Sequence, residues 1–343
     1  MRPASLKSLP AFALVVFILA VVFILALGVG PSLPGAHLQP FGYPSADAFE
    51  LRFIRVATAA IVGAALAIAG VLLQALLRNP LADPYILGIS NGATVGIVAW
   101  IFLGQMSGYA LYSNPIAEKI FTAGQCLPAL LGALITAVMV FLLGRRRGGN
   151  LDPIALLLSG VVMATINGAL IMLLENLLPG GARADIMDYL FGYISDGTPT
   201  IALVVSLVVI VVGWLCALML AGALDVASLS DAESTSLGVH MGALRTACFV
   251  LAGLVTAAAI AVSGPIGFVG LICPHICRAL LGPAHRGLLL AAPCLGAAFL
   301  MAADAFVRGT GAWFNGELPV GVVTALCGGP FFLFLLVRRR TWD

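Results

Sequence analysis

Ten times along this chain the sequence runs for about twenty residues almost without charge. The runs cover residues 11–29, 55–77, 85–104, 124–143, 153–175, 200–221, 246–263, 265–283, 287–307 and 318–337. In a helix, about 20 apolar residues match the hydrocarbon thickness of a bilayer. Of the 343 residues, 61% are hydrophobic and 9% are charged, against roughly a quarter charged in a soluble protein. So few charges cannot cover a water-facing surface. The expected fold class is all-α: a polytopic membrane protein of about ten transmembrane helices in a single domain, residues 1–343. Continuous runs exclude a β-barrel, whose strands alternate apolar and polar residues. The net charge of +2 gives no sign of a nucleic-acid partner. The seven cysteines lie almost entirely in apolar runs, as small buried side chains rather than a disulfide framework.

The first run follows Arg2 and Lys7, as in a signal peptide, but its apolar stretch of 19 is longer than the usual h-region. It is expected to remain as a helix. With the N-terminus inside and ten spans, 12 of the 17 basic residues fall on the cytoplasmic side, Arg78, Arg145, Arg146, Arg147, Arg245 and Arg286 among them. Arg52, Arg55, Lys119, Arg183 and Arg308 fall outside. The bias predicts an even number of spans and both termini in the cytoplasm.

The stretch RNPLADP, residues 78–84, spends its polar residues on a cytoplasmic turn between spans two and three. Pro80 stops the incoming helix. Asp83 is expected to cap the next helix with Pro84 in its first position, and Arg78 to snorkel toward lipid phosphates. Asn79 completes the turn. Gly88, Gly92 and Gly96 follow at spacing four, a pattern that lets another helix approach closely.

RNPLADPYILGISNGA resembles the hallmark of the FecCD family, the membrane permeases of ABC importers for vitamin B12, haem and ferric siderophores. LRFIRVATAAIVGAALAIAGVLLQALLRNPLADP, LSDAESTSLGVHMGALR, VSGPIGFVGLICPHICRALLGPAHR and ELPVGVVTALCGGPFFLFLLVRR resemble further family segments in the same order, so the likeness covers most of the chain from about residue 50. It implies a type II ABC importer permease fold and a transport subunit, not an enzyme, in a bacterial inner membrane. It also implies a homodimer, two cytoplasmic ATPase subunits that bind ATP and Mg, and a periplasmic substrate-binding protein. No cofactor is expected on this chain. The two lysines, Lys7 and Lys119, do not follow glycine, so the chain has no GxxxxGK[ST] phosphate loop.

The loop 222–245 is the longest cytoplasmic stretch with polar residues. An ordinary solvated loop would look the same. The resemblance makes it the ATPase-coupling region, with Asp231, Glu233, Ser236, Leu237, Gly238, Val239 and Arg245 as its candidates. Gly238 can end a short helix there. Arg52, Arg55 and Arg308 suit interfacial anchoring, and the resemblance makes them docking sites for the binding protein. Arg308 also follows Asp304 by four residues and can pair with it along one helix. The resemblance lines the translocation path with spans five and ten, where Ser159, Met163, Asn167, Thr324, Gly328 and Gly329 are candidates. Helix packing uses the same residue types.

CPHIC, residues 273–277, tempts a metal assignment, but Cys273 and Cys277 share a helix face that His275 leaves, and no second ligand cluster accompanies them. No metal site is expected. His275 suits a hydrogen bond to backbone near a helix end, while His37, His240 and His285 read as surface residues. Glu175, Asp304 and Glu317 lie near span ends, whereas an ion-coupled carrier usually keeps a carboxylate within the membrane. That placement argues against a secondary transporter working without an ATPase, the alternative to an ATP-driven importer for a metal chelate by alternating access. Segments 55–104 and 246–283 share a loose plan that suggests an inverted repeat, which both classes use.

Overall fold

In hydrocarbon a backbone N–H or C=O has no water to bond, so the apolar runs close their hydrogen bonds internally as helices. The computed structural model describes residues 8–29, 46–85, 87–106, 126–145, 152–178, 190–195, 198–310 and 318–340. Among them lie eleven helices and no strand. We label them α1 (Ser8–Gly28), α2 (Ala46–Leu76), α3 (Ile89–Met106), α4 (Cys126–Leu143), α5 (Pro153–Leu177), α6 (Thr200–Ala227), α7 (Asp231–Ser236), α8 (Met241–Ser263), α9 (Val269–Leu281), α10 (His285–Thr310) and α11 (Val320–Arg340). Seven are long and apolar enough to cross a membrane, and three shorter apolar helices (within α4, α9 and α11) fill the remaining predicted runs. The six-residue α7 is the exception.

Several boundaries depart from the sequence expectation. The second helix begins at Ala46, not at residue 55, and its 31 residues reach about 46 Å at 1.5 Å per residue. The third begins at Ile89, not at residue 85, because Pro84, Tyr85, Leu87 and Gly88 lie in turns, with Gly88 at φ 70°. The seventh run ends at Ser263 as expected, and the eighth starts late. Gly264 and Phe268 both hold positive φ, and the helix resumes at Val269 for only 13 residues.

The core is built around α2, which packs against α10, α8, α9 and α6, while α1, α5 and α6 leave most of their surface outward. Glycines set the closest crossings. A Cβ on Gly63 would overlap the Gly296 carbonyl of α10, and one on Gly70 would overlap the Gly270 carbonyl of α9. Gly92 and Gly96 meet Thr136, Gly132 and Pro128 of α4, while Gly88 faces Gly160 and Ala164 of α5. The spacing-four glycines of the third run thus bring in two helices rather than one.

Gly63→Leu is expected to abolish a monodisperse folded protein in detergent, because the clash is with backbone and cannot relax by a rotamer change. Gly222→Ala on α6, where a Cβ meets nothing within 4 Å, should be neutral or add about 0.5–1 kcal/mol. Size-exclusion profiles and melting temperatures of the two variants check both.

Candidate functional site

The helix α2 ends in a Schellman turn. The Asn79 N–H donates to the Gln74 carbonyl at 3.1 Å and the Arg78 N–H to that of Ala75 at 3.3 Å. The left-handed position belongs to Arg78, at φ 47°, where glycine would be unstrained. Its side chain explains the choice. The guanidinium donates to the Ala227 carbonyl at the end of α6 through Nε (3.1 Å) and Nη2 (2.9 Å), and Nη2 pairs with Asp231 Oδ1 at 2.6 Å. Arg245 Nη2 reaches both Asp231 oxygens at 3.0 Å. Arg78 therefore does not snorkel to lipid; it joins a clamp in which Asp231 ties the α2 turn to the start of α8.

The loop that carries Asp231 is well made. Ser230 and Glu233 form a capping box, and the bonds from the Ser230 hydroxyl and backbone hold the Glu233 carboxyl below its ordinary range. Ser234 is buried and donates to the Val226 and Ser230 carbonyls. Gly238, at φ 85°, ends α7 with Val239 N–H on the Ser234 carbonyl. Ser236 closes on the Ala232 carbonyl, and Leu237 stays 64% exposed at the tip. Next to this loop, Asp225 accepts at Oδ1 from the His285 N–H and lies 2.7 Å from its Nδ1, tying α6 to α10. His285 is 4% exposed, so it is not the surface residue the sequence suggested.

Asp83 does not cap α3, and Pro84 is not its first residue, since that helix starts five residues beyond Pro84. Asp83 Oδ1 accepts from the Tyr85 N–H at 2.8 Å. Its Oδ2 is turned to the first turn of α9, where the Leu271 N–H favours the charge without reaching full hydrogen-bond geometry. Arg278 and Gln74 lie in the same neighbourhood; Gln74 Nε2 donates to the Gly270 carbonyl and Arg278 Nη2 to Gln74 Oε1. Asn79 Oδ1 accepts from the Leu81 N–H across Pro80. Burial pushes the Asp83 carboxyl up to about 6.

At the other end of α2 the docking arginines behave differently from the expectation. Arg55 is 1% exposed and Arg308 3%. Arg55 Nε donates to Asp304 Oδ1 and Arg308 Nε to Asp304 Oδ2, both at 2.9 Å. Arg55 also lies over the Tyr193 ring at 5.8 Å, and Arg308 donates to the Ala26 and Val29 carbonyls at the end of α1. The Arg308–Asp304 pair expected from spacing is present, and Arg55 joins it from another helix. The same burial removes Arg55 and Arg308 as surface contacts for a partner. Arg52 is half-buried.

The path candidates divide too. Ser159 donates to the Leu156 and Val140 carbonyls, and Asn167 to the Gly88 carbonyl and Thr136 Oγ1. Both are buried in the α3–α4–α5 packing, as polar side chains in hydrocarbon seek a neighbouring helix. Thr324 is fully buried on the Gly321 carbonyl, and a Cβ on Gly328 would enter the Phe268 ring. Met163 is half-buried against the core, and Gly329 meets nothing within 4 Å. The open faces instead carry Val161, Thr165 and Met172 on α5, and Leu326, Cys327 and Pro330 on α11. His275 stands edge-on to Phe331 at 5.9 Å, and its buried Nδ1 has no hydrogen-bond partner, so the backbone bond expected for it is not made. Among the described residues no three His, Cys, Asp or Glu side chains converge as a metal site. His37, Lys119, Arg183 and Glu317 lie outside the described residues.

Residues 9–338 match the profile of the FecCD transport family. The chain belongs to that family. It is 38% identical over 315 residues to the cobalamin import system permease protein BtuC of Halobacterium salinarum, covering 90% of this chain and 80% of that one. It is 35% identical over 293 residues to the hemin transport system permease protein HmuU of Yersinia pestis, covering 85% and 83%. A solved structure described as an inward-facing conformation of a metal-chelate type ABC transporter superposes with a TM-score of 0.77 at 30% identity, over 95% of this chain and 99% of that one. The chain is thus a multi-pass membrane protein with the fold of ABC importer permeases, as its motifs suggested.

Asp304→Asn removes the negative charge that two buried guanidinium groups share, which costs about 3–5 kcal/mol. A fall in melting temperature on the order of 10 °C in detergent is expected. For Asp83 the folded carboxyl holds its proton to about 6, above the ordinary 3.8. Its contribution to stability is then complete below the ordinary value and lost as pH rises through about 6. Across that window Asp83→Asn should gain on wild type by up to about 3 kcal/mol, at 1.36 kcal/mol per pKa unit. Thermal unfolding of both proteins at several pH values between about 4 and 7 measures it.

Proposed function

We propose that this chain is the permease subunit of an ATP-driven importer in a bacterial inner membrane, with both termini cytoplasmic and a metal chelate as substrate. A ferric siderophore, haem or cobalamin fits this class. Two copies pair, and a separate chain binds and hydrolyses ATP with Mg. A periplasmic binding protein delivers the substrate to the outer face, with Arg52 at the docking surface. The substrate passes between the copies along the open faces of α5 and α11, whose Met172, Thr165 and Gly329 suit a bulky ligand that must not be held tightly. The chelates named for the relatives BtuC and HmuU support this substrate class.

One observation carries the coupling step: Asp231, on the short exposed helix α7, holds Arg78 and Arg245 at once. A partner gripping α7 at Leu237 and Glu233 would move α2 and α8 together, since their ends meet at one carboxylate. A rigid displacement of that kind is what alternating access requires. In this reading no residue of the chain is catalytic. The buried carboxylate Asp304, fixed between two arginines, is not free to cycle a proton, which disfavours an ion-coupled carrier.

The test is reconstitution with the cognate ATPase and binding protein in vesicles. Wild type should show ATP hydrolysis stimulated by the loaded binding protein together with uptake of the chelate. Asp231→Ala should cut uptake at least tenfold while most ATP hydrolysis persists. Uptake driven by an ion gradient with no ATPase present would overturn the reading.

A further inference from the structure

The break between α8 and α9 holds a residue that local preference would not put there. Phe268 sits at φ 69° and ψ −20°, in the left-handed region. An aromatic side chain is strained there, and glycine is not. The turn alone would be better made with glycine at 268. A strained residue persists only where its surroundings hold it. Here they do so twice. The Phe268 carbonyl accepts from the Leu271 N–H at 3.1 Å and the Ile272 N–H at 2.9 Å, which starts α9. The side chain is seated on Gly328 of α11, where its first carbons take the place a Cβ would occupy.

Gly328 opens a weak joint in α11. Gly328, Gly329 and Pro330 follow one another inside the helix. Proline has no N–H, so that turn lacks a backbone hydrogen bond, and the two glycines add freedom beside it. Before the joint α11 is fixed. The Gly321 N–H donates to the Gly192 carbonyl at 3.2 Å, a Cβ on Gly321 would overlap the Phe191 carbonyl, and Thr324 is fully buried. After the joint α11 is open, with Leu333, Phe334 and Val337 each more than half exposed. On the other side, Phe268 lies close in sequence to Gly270, whose backbone is pressed on Gly70 of α2.

We propose that Phe268 is a positioning residue of the transport path: its ring, wedged at the Gly328–Pro330 joint, sets the direction of the inner half of α11. This rests on the transport reading above, in which α11 lines the path. A displacement of α2 carries the start of α9 with it, because Gly70 and Gly270 touch through backbone and parting them would leave both without contacts. Phe268 stands at that start and passes the displacement to the joint. The anchored outer half of α11 stays, and the inner half turns. The clamp at Asp231 thus reaches a surface of the path from a distance, through α2, α9 and one ring.

The experiment uses the full chain in mild detergent and fluorine NMR. Trifluoromethyl-phenylalanine replaces Phe334 on the inner half of α11 or Leu326 on the outer half, both exposed. The otherwise unaltered chain should give one dominant resonance from each probe. Phe268→Gly accepts the positive φ without strain and removes the wedge. It should add a clear second resonance at 334 and leave 326 unchanged. Gly328→Ala, which expels the ring, should act alike. Phe268→Ala combined with Gly328→Ala puts a methyl where the ring was and should return 334 to one resonance. Phe268→Gly combined with Pro330→Ala restores the missing hydrogen bond and should do the same. In reconstituted vesicles Phe268→Gly should lower uptake at least fivefold with ATP hydrolysis retained. A single unshifted resonance at 334 in Phe268→Gly would overturn the proposal. So would an equal change at 326, which marks general loosening of the helix, no recovery in either double variant, or uptake equal to that of an active wild type. The spectra need no ATPase or substrate, so their failure leaves the transport reading standing, and failure of transport leaves the effect of Phe268 on α11 to be read from the spectra.

Discussion

Lipid tails are as apolar as leucine, so no hydrophobic force draws helices together inside a membrane. What holds α2 against α10 and α9 is dispersion between backbones that touch, and that contact exists only where both partners lack a side chain. Gly63 meets Gly296 and Gly70 meets Gly270, about ten Å apart along α2 at 1.5 Å per residue. With these two crossings in place, α8 packs on α2 from another side and buries most of its own surface. The remaining helices add to that frame, and their outward faces stay available for lipid or a partner.

The same helix carries an ionic cluster at each end. Arg55 and Arg78 are 23 residues apart, about 34 Å along a straight helix. Arg55 shares Asp304 with Arg308, inside the protein and at the end of α1. Arg78 shares Asp231 with Arg245 at a half-exposed site. The two clusters differ in what they can do. Burial makes the first expensive to open, since an uncompensated charge would remain in low dielectric. The second is open to water, and an exposed ion pair is worth roughly 1 kcal/mol or less. A rod fixed firmly at one end and held weakly at the other pivots at the firm end when its loose end is displaced. The fold therefore puts compliance at the Asp231 end of α2.

Much of this frame was legible in the sequence, and its limits have a physical cause. Apolar runs located ten helices because hydrocarbon leaves the backbone one solution. Glycines at spacing four announced a close approach, and Asp304 to Arg308 announced a pair, because both are local patterns on one helix. Partners far apart in sequence were hidden. Arg55 and Asp304 are separated by 249 residues, and Asp225 and His285 by 60. No period links such pairs, so Arg55 and His285 read as surface residues. The turn misled for a different reason. Tyr85-Ile86-Leu87-Gly88-Ile89 is as apolar as a helix, but Gly88 takes a positive φ and its open side is filled by Gly160 and Ala164 of α5. A tertiary contact overrode the local preference there.

Three of the path candidates are packed away by the same logic, and the reason is informative. Choosing small polar residues on spans five and ten selected Ser159, Asn167 and Thr324, the groups a membrane helix turns inward to satisfy on a neighbouring carbonyl. In hydrocarbon, polarity marks the packed face of a helix, and the open face is marked by its absence. A residue that a passing ligand touches must stay open once packing is complete. On α5 that leaves Val161, Thr165 and Met172, where the one hydroxyl is satisfied by its own helix through the Val161 carbonyl. On α11 it leaves Leu326, Cys327 and Pro330. A surface with so few unsatisfied donors and acceptors offers a polar ligand few places to stick, and that suits a route along which release matters more than affinity.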